Sequence, residues 1–328
     1  MIITQTPLRV SFAGGGTDFP DYYRRALPDG GCVVSSAIDK YVYVIVKERF
    51  DEKIRIGYSR TEMVDSVDQI EHELVREAMR VVGIERGVEI STMADIPSEG
   101  SGLGSSSSVT VGLLHALYAY RGELVTPDLL AAQACRIERE ILGKPIGHQD
   151  QYIAAYGGLR RIAFRPGDAV EVRSVPMGDE QRRRFGESLL LFFTGITRRA
   201  DDILSDQKRN LPERGATLDR MRAQADEVHA CLTGGDLLGV GRILDAGWRF
   251  KRDLAERITN GRIDDLYARA RAAGATGGKI AGAGGGGFLL LSVPPERQAS
   301  VRATLSDLKE LPFALERDGT KVIFNARR

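Results

Sequence analysis

The chain has few cysteines and lacks the sequence patterns of a disulfide-rich or membrane protein. Its 328 residues include three cysteines, Cys32, Cys135 and Cys231, which are odd in number and without C-x-x-C spacing. This argues against a disulfide framework and against a zinc site. No apolar run approaches the roughly 18 residues of a membrane span, and no leader-like segment opens the sequence. We therefore expect a cytoplasmic protein with reduced thiols and no membrane partner.

The chain also lacks an excess of charge of either sign. Lysine and arginine number 46 against 45 aspartates and glutamates, which leaves a net charge of +1. Such a balance creates no global field that would attract nucleic acid or anionic lipid. The four histidines are scattered and do not suggest a metal cage. We expect no nucleic-acid partner, and any anion site must be local.

The first half of the sequence predicts a mixed α/β domain. Apolar patterning predicts β-structure near 8–13, 32–49, 53–57, 87–96 and 157–174, and helices near 68–82, 105–120 and 126–143. Thr126 can cap the last of these helices, because a hydroxyl at this position accepts from the first turn. Strands that follow one another without helices between them predict a sheet that is not all parallel.

The second half predicts an α+β sandwich with helices on one face of a sheet. A buried strand near 187–195 precedes a helical region that extends to about 273, and two short strands, a helix and two final strands follow. The length suits two domains, which we place at 1–183 and 184–328.

Three glycine-rich motifs need a local explanation, because they are too short and too embedded to be linkers. The segment "PSEGSGLGSSSSV" at 97–109, called here the serine loop, can turn its backbone N–H groups inward through Gly100, Gly102 and Gly104 ahead of a helix start. It matches neither the Walker A pattern nor the Rossmann pattern. A phosphate cradle and a turn that only caps a helix both remain open.

The other two motifs lie near the two ends of the sequence. In the N-terminal motif, "PLRVSFAGGGTDF" at 7–19, a strand with Arg9 leads into three glycines, Thr17 and Asp18. A simple turn with Asp18 as a helix cap is the alternative to a binding role. In the C-terminal glycine loop, "KIAGAGGGGFLLL" at 279–291, a β-hairpin with a bulge is the alternative.

A fourth segment, "RIEREILGKPIGHQDQYIAAYGG" at 136–158, places acidic residues on and just after a helix. Glu138 borders the apolar stripe of this helix and is not on a purely solvated face. Asp150 either caps the next short helix or is a catalytic carboxylate. His148 lies close to it without a visible nucleophile or metal partner, so we expect a structural or substrate-orienting role.

In combination, these motifs resemble those of the GHMP kinases, the family of galactokinase, homoserine kinase, mevalonate kinase and phosphomevalonate kinase. Three separate motifs occur in the order found in the family, and the resemblance covers the whole chain. It implies an α+β fold with two domains, one like ribosomal protein S5 and one ferredoxin-like, with the active site between them. It also implies that ATP and Mg²⁺ take part in the reaction.

The resemblance implies roles for individual residues. Asp150 and Arg9 match the catalytic pair, and Ser106 and Glu138 match the magnesium ligands. The residues that match the loop around the ATP phosphates are Gly102, Leu103, Gly104, Ser105, Ser106 and Ser107. Those expected at the sugar are Asp18, Gly15, Gly16, Thr17 and His148. Those of the C-terminal pocket wall are Lys279, Gly282, Gly284 and Gly285.

Within the family, the segments at 6–23 and 143–158 are most similar to D-glycero-D-manno-heptose 7-phosphate kinases, which phosphorylate an anomeric hydroxyl. A fucokinase-like sugar kinase is the nearest alternative, and a non-catalytic sensor or a kinase of isoprenoids or amino alcohols is further away. A phosphorylated sugar needs a second anion site, for which Arg198 and Arg199 are candidates, with exposed surface arginines as the alternative. The partners expected are a small sugar or sugar phosphate and ATP, with a homodimer left open.

Overall fold

The computed structural model describes residues 1–96, 100–198, 200–210 and 213–326. Arg199, predicted at a second anion site, and the first three residues of the serine loop lie outside the described residues. In the part of the chain that is described, no helix is long and apolar enough to cross a membrane.

The larger of two sheets has eight strands. They are β1 (Ile2–Ala13), β2 (Gly31–Glu48), β3 (Ile54–Gly57), β4 (Thr61–Val64), β5 (Val88–Ala94), β6 (Leu159–Phe164), β7 (Val170–Ser174) and β12 (Lys321–Asn325). Their order is β12-β1-β2-β5-β3-β4, and β6 pairs with the first part of β2 and with β7. Among the described residues, β3 and β5 pair in parallel and the other strand pairs of this sheet are antiparallel, so the sheet is not all parallel, as predicted.

In the described residues, six α-helices lie before residue 188. They are α1 (Pro20–Tyr23), α2 (Glu73–Val82), α3 (Ser105–Arg121), α4 (Pro127–Cys135), α5 (Gln149–Tyr156) and α6 (Asp179–Glu187). Thr126 caps α4 by accepting from the N–H of Leu129 at 3.2 Å, as predicted. The predicted single helix at 126–143 becomes π-helical over Arg136–Ile141. Helix α3 packs on β1 and β2 and brings the serine loop to one end of the sheet.

The second sheet has four antiparallel strands in the order β11-β8-β10-β9. These are β8 (Leu189–Phe193), β9 (Gly277–Ile280), β10 (Phe288–Ser292) and β11 (Lys309–Glu310). The helices of this half are α7 (Ala200–Asn210), α8 (Gly215–Gly234), α9 (Leu237–Arg252), α10 (Gly261–Ala272) and α11 (Gln298–Thr304). Helix α9 contacts β9 and β10 and also β1, so it joins the two halves where the site lies.

The final strand connects the two halves a second time. β12 returns to the larger sheet, where it pairs with β1 in antiparallel register, Ile2 opposite Asn325. The predicted domain division near residue 183 stays a prediction, and such a division must allow residues 321–325 to return to the first sheet.

Candidate active site

A pocket lies between the two halves of the molecule and collects most of the residues singled out in the sequence. From those residues, its lining includes Arg9, Gly15, Gly16, Asp18, Gly102, Gly104, Ser105, Ser106, Ser107, Asp150, Lys279 and Gly282. The pocket is also lined by residues of α7 and α9, which come from the second half of the chain. Segments far apart in the sequence therefore meet at one site.

The serine loop ends at an uncapped helix start that faces this pocket. Gly104 has a left-handed backbone with φ of 78°, and no side chain caps the helix that begins at Ser105. The first N–H groups of a helix have no partner within the helix and carry a partial positive charge. This end of α3 is therefore suited to an anion such as a phosphate.

Arg9 and Asp150 form a two-point ion pair at the same place. Arg9 donates from Nε to Asp150 Oδ1 at 2.7 Å and from Nη2 to Oδ2 at 2.6 Å. Its Nη1 donates to the carbonyl oxygen of Gly102 at 2.5 Å. A Cβ atom on Gly104 would lie 3.4 Å from Asp150 Oδ2. The pair thus touches the serine loop directly.

Asp18 is buried in the wall of the pocket and is held by the backbone. Its carboxylate accepts from the N–H of Gly16 at 2.9 Å and of Gln149 at 3.1 Å. Burial raises the pKa of Asp18 above its ordinary value. A Cβ atom on Gly147 would lie 1.9 Å from Asp18 Oδ2, so only glycine at 147 permits this approach.

Glu138 lies behind the serine loop in the π-helical turn and is fully buried. It accepts from Ser106 Oγ and Ser107 Oγ, both at 2.8 Å, and from the side-chain amide of Gln151. Burial raises the pKa of Glu138, and these three donors act in the opposite direction.

Ser106 and Glu138 fit a magnesium ion in the spacing of their oxygen atoms. Neighbouring ligands of an octahedral Mg²⁺ ion are about 2.9 Å apart, given metal–oxygen distances of roughly 2.0–2.1 Å. Ser106 Oγ and Glu138 Oε1 are 2.8 Å apart, and Ser106 is exposed at the pocket. The described residues hold no cluster of three His, Cys, Asp or Glu side chains that could bind a metal. Because Mg²⁺ keeps waters and binds substrate phosphates, two protein oxygens suffice.

Two residues predicted at the sugar lie outside the pocket lining. The hydroxyl of Thr17 donates to the carbonyl oxygens of Gly14 and Cys32 and holds the turn of the N-terminal motif. His148 Nε2 accepts from Arg139 at 2.5 Å, and burial, followed by Arg139, lowers the pKa of His148 to about 3. Both residues support the loops that carry Asp18 and Asp150.

Four further predicted residues also lie outside the lining. Leu103 is buried and accepts from the N–H of Arg9 at 3.0 Å. A Cβ atom on Gly284 or Gly285 would come within 2.9 Å or 2.5 Å of a side-chain atom of Ile258 or Ile203, which makes these glycines packing positions. Arg198 is exposed, and its backbone N lies 3.1 Å from a Cβ built on Gly100.

Two lysines of the pocket, Lys144 and Lys251, were missed by sequence reasoning. Lys251 on α9 lines the pocket and donates from Nζ to the carbonyl oxygen of Gly282. Burial, followed by the charge of Arg9, lowers the pKa of Lys251 to about 8. The sequence held a signal for it, because Leu244, Trp248 and Lys251 follow helical spacing on the buried face of α9. A lysine on such a stripe is rare without a functional partner.

Comparisons with known proteins show the family to which the chain belongs. The family model of the GHMP kinase N-terminal domain matches residues 56–158, and that of the GHMP kinase C-terminal domain matches residues 225–309. The two matches together span more than half of the chain.

Individual relatives match over nearly the full length. The chain is 31% identical over 315 residues to a D-glycero-alpha-D-manno-heptose 7-phosphate kinase of Campylobacter jejuni, covering 90% of this chain and 91% of the relative. A crystal structure of a D-glycero-D-manno-heptose 1-phosphate kinase from Bacteroides thetaiotaomicron superposes with a TM-score of 0.83 and 26% identity over 100% of both chains. That of a putative sugar kinase from Campylobacter jejuni has a TM-score of 0.78 and 27% identity over 98% and 97%. The chain belongs to the GHMP kinase family, and the predicted α+β fold of that family is confirmed.

Proposed function

We propose that this protein transfers the terminal phosphoryl group of ATP to the anomeric hydroxyl of D-glycero-D-manno-heptose 7-phosphate and forms the 1,7-bisphosphate. The class of enzyme predicted from the motifs, an ATP-dependent sugar kinase, is confirmed by the family and its sugar-kinase members. The observation that carries the proposal is the Arg9–Asp150 pair at the open start of α3. The product would supply activated heptose for cell-envelope or capsule glycans.

Asp150 acts on the acceptor hydroxyl in this proposal. A carboxylate has about four lone-pair sites, and Arg9 uses two of them, one on each oxygen. The remaining sites can accept the hydroxyl proton of the sugar. As the new O–P bond forms and the bond to the β-phosphate oxygen breaks, the proton passes to Asp150 and ADP leaves. Arg9 holds the carboxylate in one orientation throughout.

Asp18 binds hydroxyl groups of the sugar in this proposal. It lines the pocket together with Gly15 and Gly16, and the backbone N–H groups of Gly16 and Gln149 fix the orientation of its carboxylate. Buried carboxylates that accept from sugar hydroxyls give orientation and specificity. A polyhydroxylated acceptor explains this arrangement better than an isoprenoid.

The serine loop and the Ser106–Glu138 pair hold the nucleotide phosphates and Mg²⁺. Backbone N–H groups at the start of α3 bind the phosphates, and Ser106 and Glu138 supply protein oxygens for the ion. When bound, the ion neutralises charge on the phosphates. The retention of Arg9, Asp150, Ser106 and Glu138 in one site argues against a non-catalytic sensor.

The names of the relatives differ in the position of the phosphate on the heptose. Fucose and another hexose are the alternative substrates. The Campylobacter relative is a 7-phosphate kinase and the Bacteroides structure is of a 1-phosphate kinase. A bifunctional fucokinase of Arabidopsis thaliana is 25% identical, although the chain spans only 31% of that protein. Either a fucokinase-like activity or another hexose 1-kinase activity would fit the same pocket.

The test is ADP release across a panel of heptose 7-phosphate, heptose 1-phosphate, heptose, fucose and galactose, with the phosphorylated carbon assigned by phosphorus NMR. The proposal expects the highest kcat/KM with heptose 7-phosphate and a new phosphate on C1. Preference for an unphosphorylated sugar or a new phosphate elsewhere would overturn it. For the second anion site, Arg198→Ala should raise KM for the 7-phosphate more than for free heptose.

A further inference from the structure

Two lysines of the pocket have no carboxylate partner. Arg9 is paired with Asp150, and a third pocket lysine, Lys144, is paired with Glu73 at 2.8 Å. Within the described ranges, neither Lys251 nor Lys279 forms an ion pair, and no hydrogen bond of the Lys279 ammonium group is seen there. Both are 7% exposed and both line the pocket. Their charge is therefore available to a ligand.

The two lysines come from neighbouring elements of the second half of the chain. Lys251 is in the last turn of α9, and Lys279 is on β9, and these two elements pack against each other. Burial has the largest effect on both pKa values; in addition, Arg9 lowers the pKa of Lys251, and Lys251 and Arg9 lower the pKa of Lys279. Cations brought together in this way favour an anion of high charge density.

The position of Lys251 points to one phosphate in particular. Its ammonium group bonds the carbonyl oxygen of Gly282, and a Cβ atom on Gly282 would lie 2.6 Å from Cα of Gly102. The carbonyl oxygen of Gly102 is in turn bonded by Arg9. Through Gly282, Lys251 thus lies beside the serine loop, and both lysines line the same pocket as Arg9 and Asp150. A phosphate bound at the loop and directed at Asp150 shares this pocket with both lysines.

We infer that Lys251 and Lys279 form a subsite for the terminal phosphate of ATP in the pocket lined by the start of α3. This inference rests on the proposed kinase function. The first half of the chain supplies backbone N–H groups, and the second half supplies two ammonium groups. The negative charge of the transferred phosphate is then balanced by the two ammonium groups in addition to the N–H groups of the loop. The subsite would therefore strengthen the binding of a nucleotide with a third phosphate and not the binding of ADP.

The experiment compares the affinities of AMP-PNP and ADP, each with Mg²⁺, by titration calorimetry without sugar. In Lys251→Met and in Lys279→Met, we expect AMP-PNP to bind about 10-fold more weakly or worse, because a charge-assisted hydrogen bond to phosphate is lost. The affinity for ADP should change by less than about 2-fold by the same reasoning. Lys279→Met serves as a second variant because Lys251 bonds Gly282 O, whereas the Lys279 ammonium group makes no hydrogen bond among the described residues. A weaker affinity in Lys279→Met is therefore not explained by the loss of an internal hydrogen bond.

The matched control is Arg249→Met, which removes a cation from the same helix. Arg249 is 68% exposed on its side chain and pairs with Asp245, so both affinities should stay at the wild-type values. Equal weakening of AMP-PNP and ADP would show a structural role for the lysines and overturn the inference. Unchanged AMP-PNP affinity with weaker binding of heptose 7-phosphate would assign the subsite to the sugar and also overturn it.

The result is separable from the proposed function. If the wild type phosphorylates no heptose but binds AMP-PNP more tightly than ADP through the two lysines, the substrate proposal fails and the subsite stands. If heptose 7-phosphate is phosphorylated and neither lysine affects the AMP-PNP to ADP affinity ratio, the subsite fails and the substrate proposal stands.

Discussion

Arg9 and Asp150 are 141 residues apart in the sequence and are joined by two hydrogen bonds of 2.7 and 2.6 Å. Arg9 lies on the buried strand β1, and Asp150 lies in the first turn of α5. The side chain of Asp150 is 24% exposed and that of Arg9 is 6% exposed, so the carboxylate is the partner that a substrate can reach. This relationship places the reactive group at the open start of α3.

The first prediction concerns Asp150 as the acceptor of the sugar proton. Asp150→Asn keeps the shape of the side chain and removes its negative charge. We expect kcat to fall by about 10²-fold or more, equivalent to about 2.7 kcal/mol of barrier, with ATP affinity within about 2-fold of wild type. Steady-state kinetics and nucleotide titration measure the two effects. Near-normal turnover would remove Asp150 from the chemistry.

The second prediction concerns the close approach of Gly147 to Asp18. Gly147→Ala places a methyl group where Asp18 Oδ2 lies, 1.9 Å away, so the carboxylate must move. We expect KM for the sugar to rise by about 10-fold or more, because a buried hydrogen-bonding group is lost from the sugar wall, with KM for ATP unchanged. Gly167→Ala, where a Cβ atom meets nothing within 4 Å, is the control. Parallel changes in both KM values would speak against a sugar role for Asp18.

The third prediction concerns magnesium at Ser106. Ser106→Ala removes one of the two protein oxygens that fit the ion. We expect the Mg²⁺ concentration for half-maximal rate at fixed ATP to rise by about 10-fold, as for the loss of a supporting ligand. Titration of the initial rate with Mg²⁺ measures it, and circular dichroism verifies the fold. An unaltered requirement for Mg²⁺ would exclude Ser106 as a ligand.

The fourth prediction is a pH dependence from Lys251, whose pKa is lowered to about 8. The charges that face it are Arg9 on β1, Lys279 on β9, Asp18, and Asp150 on α5. Below pH 8 its ammonium group is protonated and attracts phosphate, and above pH 8 this attraction is lost. The dissociation constant of AMP-PNP should therefore rise by up to about 10-fold between roughly pH 7.5 and 9.

Lys251→Met should remove most of this pH dependence, and Arg249→Met should keep it. ADP, which lacks the third phosphate, should show a flat profile over the same interval in all three proteins. A wild-type profile for AMP-PNP that matches that of Lys251→Met would show that another group titrates.

The fifth prediction concerns stability. Lys279 is buried without an ion pair in the described residues, and burial lowers its pKa well below the ordinary value. Burying an unpaired charge costs free energy, so Lys279→Met should stabilise the ligand-free protein by about 1 kcal/mol, which for a chain of this length raises the melting temperature by about 1–2 °C. Lys309→Met, on the exposed side of β11, should leave it unchanged. A lower melting temperature for Lys279→Met would contradict this account.

Apolar periodicity predicted the segments whose buried positions carry apolar side chains. It missed segments in which polar side chains take the buried positions. Strand β1 was expected to start near residue 8 and starts at Ile2. In the first half of β1, buried and partly exposed residues alternate. Two of the buried positions, however, are Thr4 and Thr6, whose hydroxyls form hydrogen bonds with Gly112 O and Thr320 Oγ1. Hydroxyls with internal partners can be buried at little cost, and apolar periodicity does not detect them.

The residues of the candidate site also divide into those that the sequence predicted and those that it missed. Arg9, Asp18, Ser106 and Asp150 lie in motifs with a family resemblance, and the structure brings all four to the pocket. Lys251 lies in no glycine-rich motif, and its position depends on how α9 packs between β1 and β9. Contacts between halves of a chain are set by tertiary packing, which spacing along one segment does not encode.

Because β12 pairs with β1, the larger sheet is completed only after β12 has been synthesised. On a ribosome, the outer edge of β1 is made first, and its partner is made only after every strand of the second sheet. That edge must remain unpaired during synthesis, and its hydrogen-bonding groups could join another chain. Pairing of such distant segments also slows folding. The first residues of β1, from Ile2 to Gln5, therefore gain their partner on this edge last, although they are synthesised long before it.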